Sequence, residues 1–160
     1  LCKPTLTEQD AKGIIERRKL TDIDNLLRFI RTNNSYKFAE LSKIAELANA
    51  QRENNAAYYT RQDTCFTIIS KLPEAKEYTT LDILEPSVGV GNFLPTLIQK
   101  YADVPVVNID VVDIDKNSIA ILQALVDKIN MPQNIHINYI VADSLLYNFS
   151  KKYDIIERNS

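Results

Sequence analysis

The stretch of residues 81–93 constrains what this chain can fold into more than any other part of the sequence. An apolar run, Leu81–Leu84, leads into Glu85 and Pro86, and Gly89-Val90-Gly91 follows just before a helix-like segment. Glycine lets the backbone turn tightly and approach a ligand where a Cβ atom would clash. The amino end of the helix beyond it favours negative charge or polar acceptors. The pattern predicts a strand, a tight turn and a helix, with two interpretations: a ligand-binding loop or a plain strand-to-helix turn.

The glycine pattern is not that of a dinucleotide-binding loop. That pattern needs a third glycine three residues after the second, and Leu94 stands there. An NAD-dependent dehydrogenase is therefore the poorest of the functions that such a turn suggests.

Beyond this turn, short β-rich runs alternate with helical stretches. Strands separated by helices of this length indicate βαβ units, and hence a parallel sheet with helices on its faces. We therefore predict an α/β fold with a Rossmann-like sheet. The predicted strands are Leu81–Leu84, Val106–Val112, Ile135–Val141 and Tyr153–Ile156, and the predicted helices lie near Asn92–Tyr101 and Lys116–Ile129.

The first fifty residues have a helical pattern instead. Thr7 and Asp10 have the spacing of a capping box, and Thr21 or Asp22 can cap a second helix. A third helix carries a stripe of apolar side chains at helical spacing: Phe38, Leu41, Ile44, Ala45, Leu47 and Ala48. We predict a helical N-terminal segment over residues 1–52 and the sheet-containing core over residues 53–160.

Composition narrows the class of protein. The chain has 160 residues with 45% hydrophobic and 25% charged residues, which is ordinary for a globular protein. No apolar run approaches the roughly 18 residues that a membrane-spanning helix needs. The two cysteines, Cys2 and Cys65, lack the spacing of a metal or redox pair. We expect a cytoplasmic protein with no membrane contact, and no metal site.

Acidic residues follow the ends of two further predicted strands. Asp113 and Asp115 come after the second, and Asp143 comes after the third. An acid about 20 residues beyond a glycine turn is placed to accept the hydroxyls of a ribose. We assign that role to Asp113 and expect Asp115 to cap the following helix. Asp143 can accept a hydrogen bond from an exocyclic amino group, or it can simply form a turn.

Together these residues resemble the adenine-N6 DNA methyltransferases. The segment Glu85-Pro86-x-x-Gly89-x-Gly91-x-Phe93 resembles motif I of that family, and Asp113 and Asp143 fall where motifs II and III would. The resemblance covers about residues 54–159. It implies a Rossmann-like methyltransferase sheet, incomplete in this sequence, with S-adenosylmethionine as the cofactor.

Two flanking segments extend the resemblance. Ala57-Tyr58-Tyr59-Thr60 is similar to motif X, which lines the methionine part of the cofactor, although Arg61 replaces the expected proline. The segment from Tyr153 to Asn159 resembles the strand that leads into motif IV. The order X, I, II, III, IV is similar to the γ arrangement, found in type I modification subunits and combined restriction–modification enzymes.

The resemblance implies a role for each matching position. Asn159 would hold the target amino group of a flipped adenine as the catalytic residue. The residues implied to bind the cofactor are Tyr59, Thr60, Glu85, Pro86, Gly89, Gly91, Phe93, Asp113 and Asp143. Tyr58 and Tyr59 could instead pack between the helices and the sheet, and Phe93 could be a core residue.

The resemblance departs from the family at motif IV. Ser160 stands where the first proline should follow Asn159. The second proline, the aromatic residue and a recognition domain do not follow, so we expect that this chain does not methylate DNA alone. DNA contact would come from that recognition domain, with restriction or specificity subunits as partners.

Two other functions remain open. The first is methylation of a nitrogen in RNA or protein, and the second is a degenerate, non-catalytic module that binds a partner.

Overall fold

A computed structural model of the chain describes residues 6–53, 62–86 and 93–157. The helices are α1 (Glu8–Arg18), α2 (Ile23–Thr32), α3 (Phe38–Arg52), α4 (Gln62–Ser70), α5 (Leu94–Lys100) and α6 (Lys116–Val126). The strands are β1 (Thr80–Pro86), β2 (Val106–Asp113), β3 (Ile135–Val141) and β4 (Ile155–Ile156), and a 3₁₀ turn spans Ala75–Glu77.

The four strands form one parallel sheet in the order β3-β2-β1-β4. The chain moves from β1 to β2 to β3 in one direction and then returns to place β4 on the other side of β1. The predicted Rossmann-like α/β sheet is thus confirmed. The order also defines a switch point between β1 and β4, which is where ligands bind in open sheets of this type.

One face of the sheet is buried under helices. Alternate strand residues, such as Ile83, Ile109 and Ile155, pack in one cluster with α4, α5 and α6. Side chains alternate between the two faces of the sheet along a strand. Residues two or four positions from these isoleucines therefore lie on the same, helix-covered face. Cys65 of α4 is fully buried in the cluster, as expected of a small hydrophobic residue.

The opposite face of β1 and β2 carries polar side chains that hold the segment before β4. Lys151 pairs with Asp82 at 3.2 Å, and the Tyr153 hydroxyl donates a hydrogen bond to Asp110. Asp154 accepts a hydrogen bond from the Asp82 amide and donates its own amide to the Asp82 carbonyl. These contacts align β4 with β1, although β4 is shorter than the predicted strand Tyr153–Ile156.

The N-terminal helices form as the caps predict. Thr7 and Asp10 make both hydrogen bonds of the capping box at the start of α1. Asp22, rather than Thr21, caps α2 by accepting a hydrogen bond from the Asn25 amide at 3.0 Å. The α1–α3 helices share a second apolar cluster with α6, through Ile121, Ala124 and Leu125 of that helix.

Several predicted boundaries shift, and one helix was not predicted. The α4 helix precedes β1, in a stretch with a short and weakly patterned apolar face. β1 runs on through Glu85 and Pro86, and α6 ends at Val126 rather than at Ile129. Within the described ranges, no helix is long and apolar enough to cross a membrane.

Candidate functional site

The carboxyl ends of the parallel strands bring acidic side chains to one edge of the sheet. β1 ends at Glu85-Pro86, β2 ends at Asp113, and Asp143 lies just after β3. Asp113 pairs with Val141 in the strand register, and its carbonyl accepts a hydrogen bond from the Ala142 amide at 3.0 Å. Glu85, Asp113 and Asp143 thus follow one another along this edge, as the sequence predicts.

Glu85 is the most deeply buried acid at this edge. Its side chain is 2% exposed, and its Oε1 atom has no hydrogen-bond partner among the described residues. Burial, and then the charge of Glu157, raises the pKa of Glu85 to about 8. An oxygen buried without a partner among the described residues is costly, so a proton or a cationic group at Oε1 of Glu85 would be favourable.

Glu157 is a further acid of this edge and was not predicted from the sequence. Its amide donates to the Leu84 carbonyl at 2.9 Å, which extends the pairing of β4 with β1 by one residue. Its side chain is 6% exposed, and burial raises its pKa. An acid at the end of an apolar strand run, Ile155-Ile156, was the available signal.

Asp113 and Asp115 make different contacts at the end of β2. The Asp115 amide donates to Oδ1 of Asp113 at 2.9 Å, which holds the Asp113 carboxylate at the end of β2. Asp115 caps α6 by accepting a hydrogen bond from the Asn117 amide at 3.1 Å. The capping role of Asp115 is confirmed, and the ribose role of Asp113 stays a prediction.

Asp143 forms a turn in this structure. Its Oδ1 accepts a hydrogen bond from the Leu145 amide at 2.9 Å, and its carbonyl accepts from the Tyr147 amide at 2.9 Å. The turn that was one of the two predicted roles of Asp143 is therefore confirmed. The turn uses only one of the two carboxylate oxygens of Asp143, so it does not exclude contact with an exocyclic amino group. That contact stays a prediction.

Pro86 and Phe93 flank the predicted glycine turn. Pro86 is buried as the last residue of β1, and Phe93 is 2% exposed within the apolar cluster beneath the sheet. Phe93 is thus a core residue that anchors the start of α5, which was the alternative to a ligand contact. Tyr59, Thr60, Gly89, Gly91 and Asn159 lie outside the described residues.

A carboxylate from the N-terminal helices also approaches this edge. Burial, then the charges of Asp113 and Glu53, raises the pKa of Glu46 in α3 to about 7. Glu46 was not predicted from the sequence. The sequence feature that could have indicated it is the helical spacing of Glu46, Asn49 and Glu53. These residues form a polar stripe beside the apolar stripe of α3.

Polar contacts dock α3 against the start of α6. Asn49 Nδ2 donates to the Ser118 hydroxyl at 3.1 Å, and Arg52 pairs with Asp115 at 2.8 Å. Burial favours a higher pKa for Asp115, but hydrogen bonds with Glu53, Asn117, Ser118 and Arg52 outweigh it and lower the pKa to about 2. The N-terminal helices are therefore held against the same edge of the sheet as Asp113.

The sequence predicts no metal site, and the acids at this edge are the side chains that could form one. Over residues 6–53, 62–86 and 93–157, no group of three or more His, Cys, Asp or Glu side chains could hold a metal ion.

Known structures with a similar fold include methyltransferases. A protein from Listeria monocytogenes, assigned to the class I S-adenosylmethionine-dependent methyltransferases, aligns with a TM-score of 0.59 and 15% identity, over 94% of this chain and 55% of its own. The methyltransferase subunit of a type I restriction–modification system from Streptococcus thermophilus aligns with a TM-score of 0.53 and 15% identity, over 78% of this chain and 28% of its own.

These likenesses identify the fold. The chain has the Rossmann-like fold of class I S-adenosylmethionine-dependent methyltransferases and spans about half of the Listeria protein and less of the Streptococcus subunit. No family model matches the sequence. No curated protein matches it.

Proposed function

We propose that this chain is the S-adenosylmethionine-binding part of an adenine-N6 DNA methyltransferase from a restriction–modification system. The observation that carries the proposal is the placement of Glu85 and Asp113 at the carboxyl edge, beside the β1–β4 switch point of a sheet with the order β3-β2-β1-β4.

The residues present fit such a cofactor. S-adenosylmethionine supplies an activated methyl group on a sulfonium centre. Its methionine part carries an ammonium group, which suits the buried Oε1 atom of Glu85, since that atom has no partner among the described residues. Its ribose offers two hydroxyl donors, which suit the Asp113 carboxylate.

The resemblance to the adenine-N6 DNA methyltransferases implies the remaining roles. Asp143, beyond β3, would accept a hydrogen bond from the adenine amino group with the oxygen that the turn leaves available. Asn159 would position the target amino group, and positioning supplies most of the rate gain expected for such a transfer. The γ-type motif order and the similarity in fold to a type I modification subunit support DNA as the substrate.

The cofactor is tested first by thermal melting with added ligands. S-adenosylmethionine should raise the melting temperature, whereas NAD⁺ and ATP at the same concentration should not. A shift with NAD⁺ alone would contradict the proposal, because it would indicate a dinucleotide site.

The substrate is tested in the cell. Replacing Asp113 by Ala in the gene that encodes this sequence should lower the level of N6-methyladenine at one short DNA sequence, as mapped by single-molecule sequencing. The matched control is Glu16→Gln, an exposed acid of α1, which should leave the methylation pattern unchanged. An unchanged pattern in Asp113→Ala would overturn the DNA assignment.

A methyltransferase acting on RNA or protein nitrogen is the second candidate. The Listeria structure aligns over 94% of this chain and is assigned only to the broader methyltransferase class. Loss of a methyl group from RNA or protein in Asp113→Ala cells, with unchanged DNA, would favour it. A chain that binds no cofactor would instead favour a non-catalytic, partner-binding module.

A further inference from the structure

Two buried acids face each other across the switch point of the sheet. Leu84 of β1 pairs with Ile156 of β4, so the next residues, Glu85 and Glu157, are neighbours on adjacent strands. Both follow the spacing of Ile83 and Ile155, which places them on the helix-covered face. Adjacent strands lie only about 4.8 Å apart, so the two carboxyl groups lie within reach of one another.

The described residues around this pair offer it little compensation. Glu85 is 2% exposed and Glu157 is 6% exposed, and Oε1 of Glu85 has no partner among the described residues. On the β2 side, the residue opposite Glu85 is Val111, and Phe93 at the start of α5 is also apolar. Within the described part of the chain, Glu157 is the one charged group found to act on Glu85.

Two adjacent buried carboxylates cannot both stay charged at low cost. Burial raises the pKa of both groups, and the charge of Glu157 adds to the rise for Glu85, to about 8. This environment favours one shared proton on the ligand-free pair near neutral pH. A cationic group that enters the site can take over the role of that proton.

We propose that Glu85 and Glu157 act as one paired-carboxylate site that exchanges its shared proton for the ammonium group of the cofactor's methionine part. This inference rests on the proposed cofactor and adds Glu157 and a proton to its site. The balance is simple: the singly protonated pair and the cationic group combine, and one proton leaves to solvent. No covalent bond other than that O–H bond is broken.

The exchange makes cofactor binding depend on pH. Calorimetry in two buffers of different ionisation enthalpy measures the protons released, here with S-adenosylhomocysteine, which carries the same amino-acid part. We expect about one proton to be released per ligand near pH 7, and affinity to rise about tenfold per pH unit up to about pH 8.

The matched ligand is 5′-methylthioadenosine, which keeps the nucleoside but has no ammonium group. It should bind without proton release and with little dependence on pH. Equal proton release with both ligands, or none with S-adenosylhomocysteine, would overturn the exchange while leaving the cofactor assignment intact.

Glu157→Gln tests the second acid. Removing its charge lets Glu85 ionise at lower pH, so the rise in affinity should move to lower pH by about one unit. Glu16→Gln, which changes an exposed acid of α1, should behave as the unaltered chain. A Glu157→Gln profile identical to that of the unaltered chain would exclude Glu157 from the site.

Thermal melting without ligand tests the carboxyl pair independently of the cofactor. A carboxyl whose pKa rises on folding binds its proton more tightly in the folded state, so stability falls as pH increases from about 4.5 to about 8. Glu85→Gln should lose most of this fall. Parallel melting curves for the two proteins would show that the pair holds no extra proton and would overturn the proposal. If neither ligand binds, the proposed function fails and the exchange fails with it.

Discussion

Single carboxyl groups define the candidate site. Glu85 and Asp113 lie where the sequence predicts, because the carboxyl ends of adjacent parallel strands meet at one edge. Glu46 and Glu157 were not predicted, because their proximity depends on how α3 and β4 pack rather than on local sequence.

Glu46 gives a prediction at this scale. Its folded pKa of about 7 lies above the ordinary value of 4.5, so the folded state loses stability as pH rises between these values. Glu46→Gln should remove this loss, and the stability difference between pH 5 and pH 8 should shrink by about 1 to 2 kcal/mol.

Urea unfolding at both pH values measures the effect of Glu46→Gln. Asp10→Asn is not a suitable control, because Asp10 belongs to the capping box of α1. Glu16→Gln is suitable, and it should leave the pH dependence unchanged. An equal change in both variants would contradict the raised pKa of Glu46.

Among the secondary-structure elements, the docking of α3 on α6 depends on a half-buried ion pair. Arg52 and Asp115 are 2.8 Å apart, with side chains 23% and 22% exposed. Arg52→Met keeps the apolar stem but leaves the Asp115 carboxylate without its charged partner. We expect a loss of about 1 to 2 kcal/mol, between the values for exposed and buried pairs.

An exposed ion pair provides the control for Arg52. Lys12 and Glu8 lie 3.2 Å apart in α1, with side chains 55% and 61% exposed. Lys12→Met should cost less than about 0.5 kcal/mol in urea unfolding, because solvent screens the pair. Equal losses in the two variants would mean that the Arg52 pair does not fix α3 in place.

The bounds of a helix or strand are predicted well where the local sequence has a strong pattern. β3 has the predicted bounds, and the caps at Thr7 and Asp115 are confirmed, because each follows from a strong local pattern. α4 was missed because it owes its place to packing against α5, through residues such as Cys65. β4 is shorter than predicted because Asp154 and Tyr153 are occupied by contacts with β1 and β2.

At the scale of the whole molecule, α6 joins two apolar clusters. Ile119 and Leu122 pack under the sheet, whereas Ile121 and Leu125 pack against α1–α3. The sequence predicts a boundary near residue 52 between a helical segment and the core, and the shared helix ties the two parts together.

This arrangement predicts cooperative unfolding. Leu125→Ala should cost about 2 to 5 kcal/mol, because Leu125 is fully buried and its removal leaves a cavity. Helix content by circular dichroism and Tyr fluorescence should then lose signal at the same, lowered urea concentration. Separate transitions, with only the first shifted, would show that α1–α3 fold as an independent domain.

The central claim is that the carboxyl edge of this sheet binds S-adenosylmethionine through Glu85 and Asp113. Calorimetric titration of S-adenosylmethionine into the unaltered chain and into Asp113→Ala tests it most directly. We predict micromolar binding by the unaltered chain and a loss of about 1 to 3 kcal/mol of binding free energy in the variant, since ribose hydroxyls then lose a charged acceptor. No binding by the unaltered chain, or equal binding by both proteins, would contradict the account.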